Sequence, residues 1–304
     1  MTRSEIVRGT LAVGAALLVI GGAVAILVGK ENDRWWTCNP TGATGDPAWS
    51  PNGRWIAFTG VRKCEVAVLA VRPNGSGRHV VHGSFADWPA WSPDGTKVLL
   101  HTHAGYGVTL PSGQGFHLVV RVRSDMGAAW APDGRRIAFT RGFYPAFENG
   151  YLADLVVVNR DGRRYRPLGE CSPGSPAWSP DGSRVAVACG GGLAVVKVRG
   201  SRAGDVTVRD GGFNGVPPRP AWSPDGQWLA YVDSYDQALY VCRADATGGV
   251  RRVVSVASDS HTDAAAWSPD GRWIAYSSSP DSGSDGGIYL VRPDGSDAHR
   301  ITHY

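Results

Sequence analysis

Pro220-Ala-Trp-Ser-Pro-Asp-Gly-Gln-Trp-Leu-Ala-Tyr231 is one of six copies of a single pattern in this chain. The others are PAWSPNGRWIAF (47–58), PAWSPDGTKVLL (89–100), AAWAPDGRRIAF (128–139), PAWSPDGSRVAV (176–187) and AAWSPDGRWIAY (265–276). Their leading tryptophans, Trp49, Trp91, Trp130, Trp178, Trp222 and Trp267, are 42, 39, 48, 44 and 45 residues apart. A period of roughly 40–45 residues is the length of one four-stranded propeller blade.

Each part of the pattern has a mechanical role. In Ser-Pro-Asp-Gly the proline pre-sets φ, the aspartate bonds nearby backbone amides, and the glycine accepts the left-handed conformation that lets a second strand return. The apolar run after the turn alternates as a strand packed on neighbours does. A third strand follows, such as 66–71 or 288–291, then a Pro-Asn-Gly or Pro-Asp-Gly turn and a fourth strand such as 300–302. A four-stranded sheet cannot bury both faces alone, so six of them must stack radially. The sequence therefore predicts an all-β, six-bladed β-propeller over 45–304, preceded by one amino-terminal transmembrane helix. The propeller begins on a first strand and ends on a fourth, so ring closure rests on packing between blades 6 and 1, with 30–44 as a linker and candidate latch.

The Trp-Ser-Pro-Asp-Gly motif with its Ile-Ala-Phe/Tyr strand resembles the PD40, or WD40-like, repeat of the TolB-like propeller family. That resemblance covers 45–304 and implies the fold of a six-bladed propeller. Members carry an α/β domain before the propeller, where this chain has only residues 31–44. Related propellers occur in prolyl oligopeptidases, whose hydrolase domain needs a Gly-x-Ser-x-Gly elbow; no such pentapeptide occurs here.

Gly9 to Gly29 is a run of 21 uncharged residues, about 30 Å as a helix, enough to span a bilayer core. Arg3 and Arg8 outweigh Glu5 on its amino side, which orients residues 1–8 toward the cytoplasm and 30–304 away from it. Reading 9–29 as an uncleaved anchor gives a single-pass membrane protein; cleavage after Ala23-Val24-Ala25 would give a secreted one. Cysteine usage fits an oxidising compartment. Cys38 and Cys64 flank the Trp49 motif, and Cys171 and Cys189 flank the Trp178 motif. In an antiparallel blade those flanks lie at one end, so disulfides Cys38–Cys64 and Cys171–Cys189 are expected. Cys242, in the apolar run Leu239-Tyr240-Val241, reads as a buried thiol.

Charge excludes a nucleic-acid role: 31 basic and 27 acidic residues are interspersed without a long single-sign run. The candidate site is the channel mouth, where first strands begin. Asp46, Asp87, Asp125 and Asp263 fall three to five residues before their motif tryptophan, His261 lies beside the last, and Arg219 interrupts the ring. His101 and His103 end a second strand and open on the same face. Converging oxygen and nitrogen donors suit a divalent cation, although aspartate at a strand start commonly bonds loop backbone instead. The longest repeat interval holds an aromatic loop with Phe143, Tyr144, Phe147 and Tyr151, a candidate partner surface or channel cover. Trp55, Trp228 and Trp273 recur six residues after the motif tryptophan in blades 1, 5 and 6, as blade packing or as a sugar-stacking patch.

With no nucleophile elbow, paired acid and base or phosphate loop, the sequence points to a non-catalytic scaffold that binds a protein in the envelope without a cofactor. The alternatives are a metal-dependent channel enzyme, a lyase or lactonase-like hydrolase, using Asp46, Asp87, Asp125, His261 and Asp263, or a glycan or small-ligand receptor.

Overall fold

The computed structural model describes residues 45–62, 65–83, 85–122, 127–143, 152–171, 174–189, 192–198, 206–209, 219–233, 236–256, 264–278 and 286–302, with two short strands at 16–20 and 23–27. Those two strands, Ala16–Ile20 and Ala23–Leu27, pair antiparallel with each other and join no blade. The rest of the expected membrane segment 9–29, and the linker to residue 44, lie outside the described residues. Among the described residues no helix is long and apolar enough to cross a membrane.

From Gly45 onward the chain forms six four-stranded antiparallel meanders, each strand paired with the next in sequence. Blade 1 is Gly45–Trp49, Ile56–Arg62, Glu65–Val71 and His79–His82. Blade 6 closes the series with Ala265–Trp267, Ile274–Ser278, Gly287–Val291 and His299–Arg300. Each blade is contiguous in sequence, and among the described residues no strand is shared between the first and last.

The turn chemistry accounts for the start of each blade. In blade 2 the Gly95 amide donates to the Ser92 carbonyl (2.8 Å) and the Ser92 amide to the Lys97 carbonyl (2.9 Å). Asp94 Oδ1 accepts from the Ser92 hydroxyl (2.6 Å) and from the Thr96 amide (3.0 Å). Blades 4, 5 and 6 repeat this through Asp181, Asp225 and Asp270, and blade 1 through Asn52. Glycine is required at the turn's end, as at Gly226, whose φ is +68°.

The second and third strands bury both faces, and the apolar side chains sort into six clusters, one at each junction between neighbouring blades. Val68, Val81, Val98 and Leu100 pack blade 1 on blade 2; Leu99, Tyr106, Ile137 and Phe139 pack 2 on 3; Leu155, Leu168, Val185 and Val187 pack 3 on 4. Leu193, Val195, Leu229 and Tyr231 join 4 to 5, and Val232, Leu239, Ile274 and Val291 join 5 to 6. The ring closes where Ile56, Phe58, Leu69 and Val71 meet Ile288, Leu290 and Ile301. This is the closure by packing between blades 6 and 1 that contiguous blades require. Gly75 (φ +81°) makes the seam possible: a Cβ there would lie 2.7 Å from the Ile301 carbonyl oxygen.

The motif tryptophans add polar links between blades. Trp91 Nε1 donates to the Ala48 carbonyl (3.1 Å), Trp178 Nε1 to Ala129 (3.2 Å) and Trp222 Nε1 to Ala177 (3.0 Å), each one blade back. Trp49, Trp130 and Trp267 are buried at Nε1 with no acceptor among the described residues.

Candidate functional site

The end opposite the motif turns is built from the residue three places before each motif tryptophan. That position is Asp46, Trp88, Gly127, Ser175, Arg219 and Ala264 in blades 1 to 6. In blades 1 and 2 it sits in a β-bulge: the register slips between Gly45 and Ala48, and between Asp87 and Ala90. Asp46 (φ 54°) and Trp88 (φ 50°) are left-handed there. A bulge re-aims a side chain, and both of these reach a residue of blade 5.

Arg219 Nη1 pairs with Asp46 Oδ1, and the Arg219 guanidinium carbon lies 4.9 Å from the Trp88 ring centroid. The other Asp46 oxygen accepts from the Thr59 hydroxyl at 2.9 Å, and Thr59 Oγ1 accepts the Trp88 amide at 3.2 Å. The Arg219 and Asp46 side chains are 11% and 6% exposed. Blade 5 borders blades 4 and 6, so a contact from Arg219 to blades 1 and 2 crosses the channel. Asp46, Thr59, Trp88 and Arg219 thus form a charge-paired, mostly buried network.

Beside it, Asp87 Oδ1 lies 2.9 Å from His101 Nδ1, with the side chains 4% and 18% exposed. His101 also stacks on Trp88, with ring centroids 5.1 Å apart at 28°. His103 sits in the exposed turn beyond the strand Val98–Thr102. Deeper, the Tyr106 hydroxyl accepts the Gly127 amide (2.9 Å), and the Thr140 hydroxyl donates to the Gly174 carbonyl (2.9 Å). Thr59, Tyr106 and Thr140 thus link blades 1 to 2, 2 to 3 and 3 to 4 at the same end by three different side chains.

Of the residues expected at the mouth, the structure places Asp46 and Asp87 there, each already holding a partner. Asp125, His261 and Asp263 lie outside the described residues. Arg219, which interrupts the acidic ring in the sequence, is in the structure the counter-ion of one of its members. Among the described residues no three His, Cys, Asp or Glu side chains converge as a metal cage would require. Sequence reading missed the reach of Arg219 and Trp88; the signal was the register, since Asp46, Trp88 and Arg219 occupy equivalent positions.

The aromatic loop is described only at its base, where Phe143 ends a strand opposite Leu152; the Phe143 side chain and Tyr144, Phe147 and Tyr151 lie outside the described residues. Cys38 and Cys64 do as well, and so do the side chains of Cys171 and Cys189, whose backbones end the strands Arg166–Cys171 and Arg184–Cys189. Cys242 is 3% exposed in the cluster between blades 4 and 5, the buried thiol expected of it. Trp55, Trp228 and Trp273 are partly buried, and Arg72, Arg243 and Arg292 lie over their rings at 5.1, 5.4 and 4.6 Å. Trp55 and Trp273 pack on the cores between blades 1 and 2 and between 6 and 1, which is the blade-packing reading for these two.

At the turn end, electrostatics follow the hydroxyls. The Asp181 carboxyl is held at about 2, first by the Ser179 hydroxyl and then by the Ser183 amide and hydroxyl. Asp94, Asp225 and Asp270 are lowered with Ser92, Ser223 and Ser268 as the leading cause. In blade 3, where Ala131 replaces the serine, burial pushes Asp133 up, and the Arg135 amide and Arg136 guanidinium outweigh it.

Comparison with known proteins bears on the same blades. The family model of the TolB β-propeller domain (PD40) matches residues 145–304. An uncharacterized peptidase, YuxL, of Bacillus subtilis is 31% identical over 156 residues, which are 48% of this chain and 22% of that protein. The Tol-Pal system protein TolB of Anaeromyxobacter dehalogenans is 34% identical over 97 residues, 30% of this chain and 21% of that protein. The chain thus spans about a fifth of the length of the curated relatives it matches. Among solved structures, TolB of Acinetobacter baumannii superposes with a TM-score of 0.60 at 16% identity, covering 83% of this chain and 61% of that one. An oligogalacturonate lyase of Vibrio parahaemolyticus gives 0.56 at 13% identity, covering 84% and 76%. At such identities these two likenesses are of fold. Together with the six repeats and the six blades, the family match places this chain in the TolB β-propeller (PD40) family.

Proposed function

We propose that the chain is a non-catalytic interaction scaffold of the cell envelope. In this reading residues 9–29 hold it in the membrane, the propeller stands outside the cytoplasm, and the mouth with the loop 143–151 receives a protein partner. The observation that carries the reading is the state of the mouth: Asp46 is neutralised by Arg219, and Asp87 is engaged by His101. A polar network whose members satisfy one another rigidifies the surface that carries it, which suits a docking face. Family membership supports the same direction, since a matched relative bears the name of a Tol-Pal system protein.

The competing reading is a channel enzyme with a divalent cation, for which Asp87 and His101 supply two mixed donors and the lyase fold an analogy. The two part on one experiment. The full chain, purified from membranes, is assayed for bound metal by elemental analysis and for Tm with and without a chelator. The scaffold reading expects no stoichiometric metal and an unchanged Tm. A stoichiometric metal that lowers Tm on removal, and is lost in Asp87→Ala, overturns it. Protease protection in intact cells and spheroplasts checks the membrane placement, which requires the propeller to be cleavable from outside the cytoplasmic membrane.

A further inference from the structure

We propose that Arg219 is the brace that holds the ring shut, in place of a strand shared between the first and last blades. The inference is independent of the partner and of the membrane anchor.

Blades 1 and 6 are each contiguous in sequence and, among the described residues, meet through one apolar cluster. Apolar packing is non-directional, so a directional contact adds to the cluster a definite register of one blade on the other. Arg219 supplies what the cluster lacks. Its backbone bridges Ala264 at the entry to blade 6, in a parallel pairing, while its side chain reaches Asp46 of blade 1 and Trp88 of blade 2. One residue of blade 5 therefore grips the three blades that lie on either side of the seam.

The receiving end is built for this grip. Asp46 and Trp88 stand at equivalent positions in successive blades, both in bulges and both left-handed. A left-handed φ is tolerated by aspartate and is an outlier for a bulky residue such as tryptophan, so the surroundings must hold Trp88 there. Thr59 joins the two receivers, donating to the Asp46 carboxylate and accepting the Trp88 amide. The planar guanidinium suits both halves of the task, pairing with a carboxylate while stacking on an indole, which an ammonium does less well. A buried ion pair adds little net stability over a well-packed apolar pair, and its best-attested use is to fix one arrangement. The arrangement fixed here is the closed ring.

A brace predicts where the molecule loosens when it is cut. The test is hydrogen exchange read by mass spectrometry on the folded full chain, comparing Arg219→Met and Arg219→Lys with the parent. Backbone amides of 56–62 and 287–291, which flank the seam, should exchange at least tenfold faster in Arg219→Met. Amides of 153–158 and 184–189, at the junction of blades 3 and 4 remote from the brace, should keep their parental rates. Arg219→Lys, which keeps the charge and loses the planar stack, should show the same selective loosening at smaller size, and it serves alone should Arg219→Met fail to fold. A uniform acceleration over all blades, or one confined to residues 219–222 and 264–267, would overturn the proposal, as would seam amides that stay fully protected in both variants.

Discussion

The two ends of the propeller are built on opposite plans. At the turn end near-identical segments repeat one arrangement: Ser92, Ser179, Ser223 and Ser268 each donate to the aspartate two residues on, Ser50 donates to Asn52 in blade 1, and only blade 3, with Ala131, lacks the hydroxyl. At the mouth the equivalent positions hold six different residues: Asp46, Trp88, Gly127, Ser175, Arg219 and Ala264. Repetition serves the strand pairing that every blade needs. What is particular to this molecule sits where the repeat is broken, and there single residues reach across several blades.

The sharpest way to break that contrast is to make one substitution at both ends. Asp46→Ala leaves the Arg219 guanidinium in a mostly buried site without its carboxylate, and loss of one partner of a buried pair costs about 3–5 kcal/mol. Asp225→Ala removes a turn acceptor in solvent, a loss of about 1 kcal/mol, as for a helix cap of the same chemistry. Urea denaturation of the two variants should separate them by a wide margin, and equal midpoints would show the mouth network to be as dispensable as one turn.

A second comparison lies within the tryptophans. Trp178→Phe removes an indole bond to Ala129, whereas Trp130→Phe removes a buried N–H with no acceptor among the described residues. The first should cost about 1 kcal/mol more than the second, read as a difference in Tm between the two variants; the reverse order would mean that the interblade bonds do not hold the ring.

The smallest effect is in pH. The turn carboxyls have folded pKa values below their unfolded ones, so the stability they add is complete above about pH 4. It drains away as pH falls through their folded values, about 2 for Asp181. Exposure makes each contribution small and salt-sensitive. Tm should decline gradually between pH 4 and pH 2, and Ser179→Ala should shallow that decline. A decline of the same steepness in that variant would remove the hydroxyl from the explanation.

Much of this was legible in the sequence because it is local. The Pro-Asp-Gly turns, the strands that follow them and the blade count rest on contacts within a dozen residues, and the structure places all of them where the pattern does. The packing of blade 6 on blade 1 also followed, from contiguous blades that leave no strand to share. At the mouth, the acidic positions Asp46 and Asp87 were found, but their state was not. A carboxylate counted along the chain looks free, and the residue that neutralises it is displayed as an interruption. The pairing of Asp87 with His101, 14 residues apart in one blade, was within reach because both ends of those strands were known to open on one face.

The sequence by itself determined the repeat, the blade and the number of blades, since each is written in short-range turn chemistry and strand alternation. Only the tertiary structure decided which residues pair at the mouth. Arg219 and Asp46 are 173 residues apart, and nothing local relates them. They meet because six twisted sheets, stacked until the last touches the first, bring their inner strands to one axis, and that distance is set by the ring as a whole.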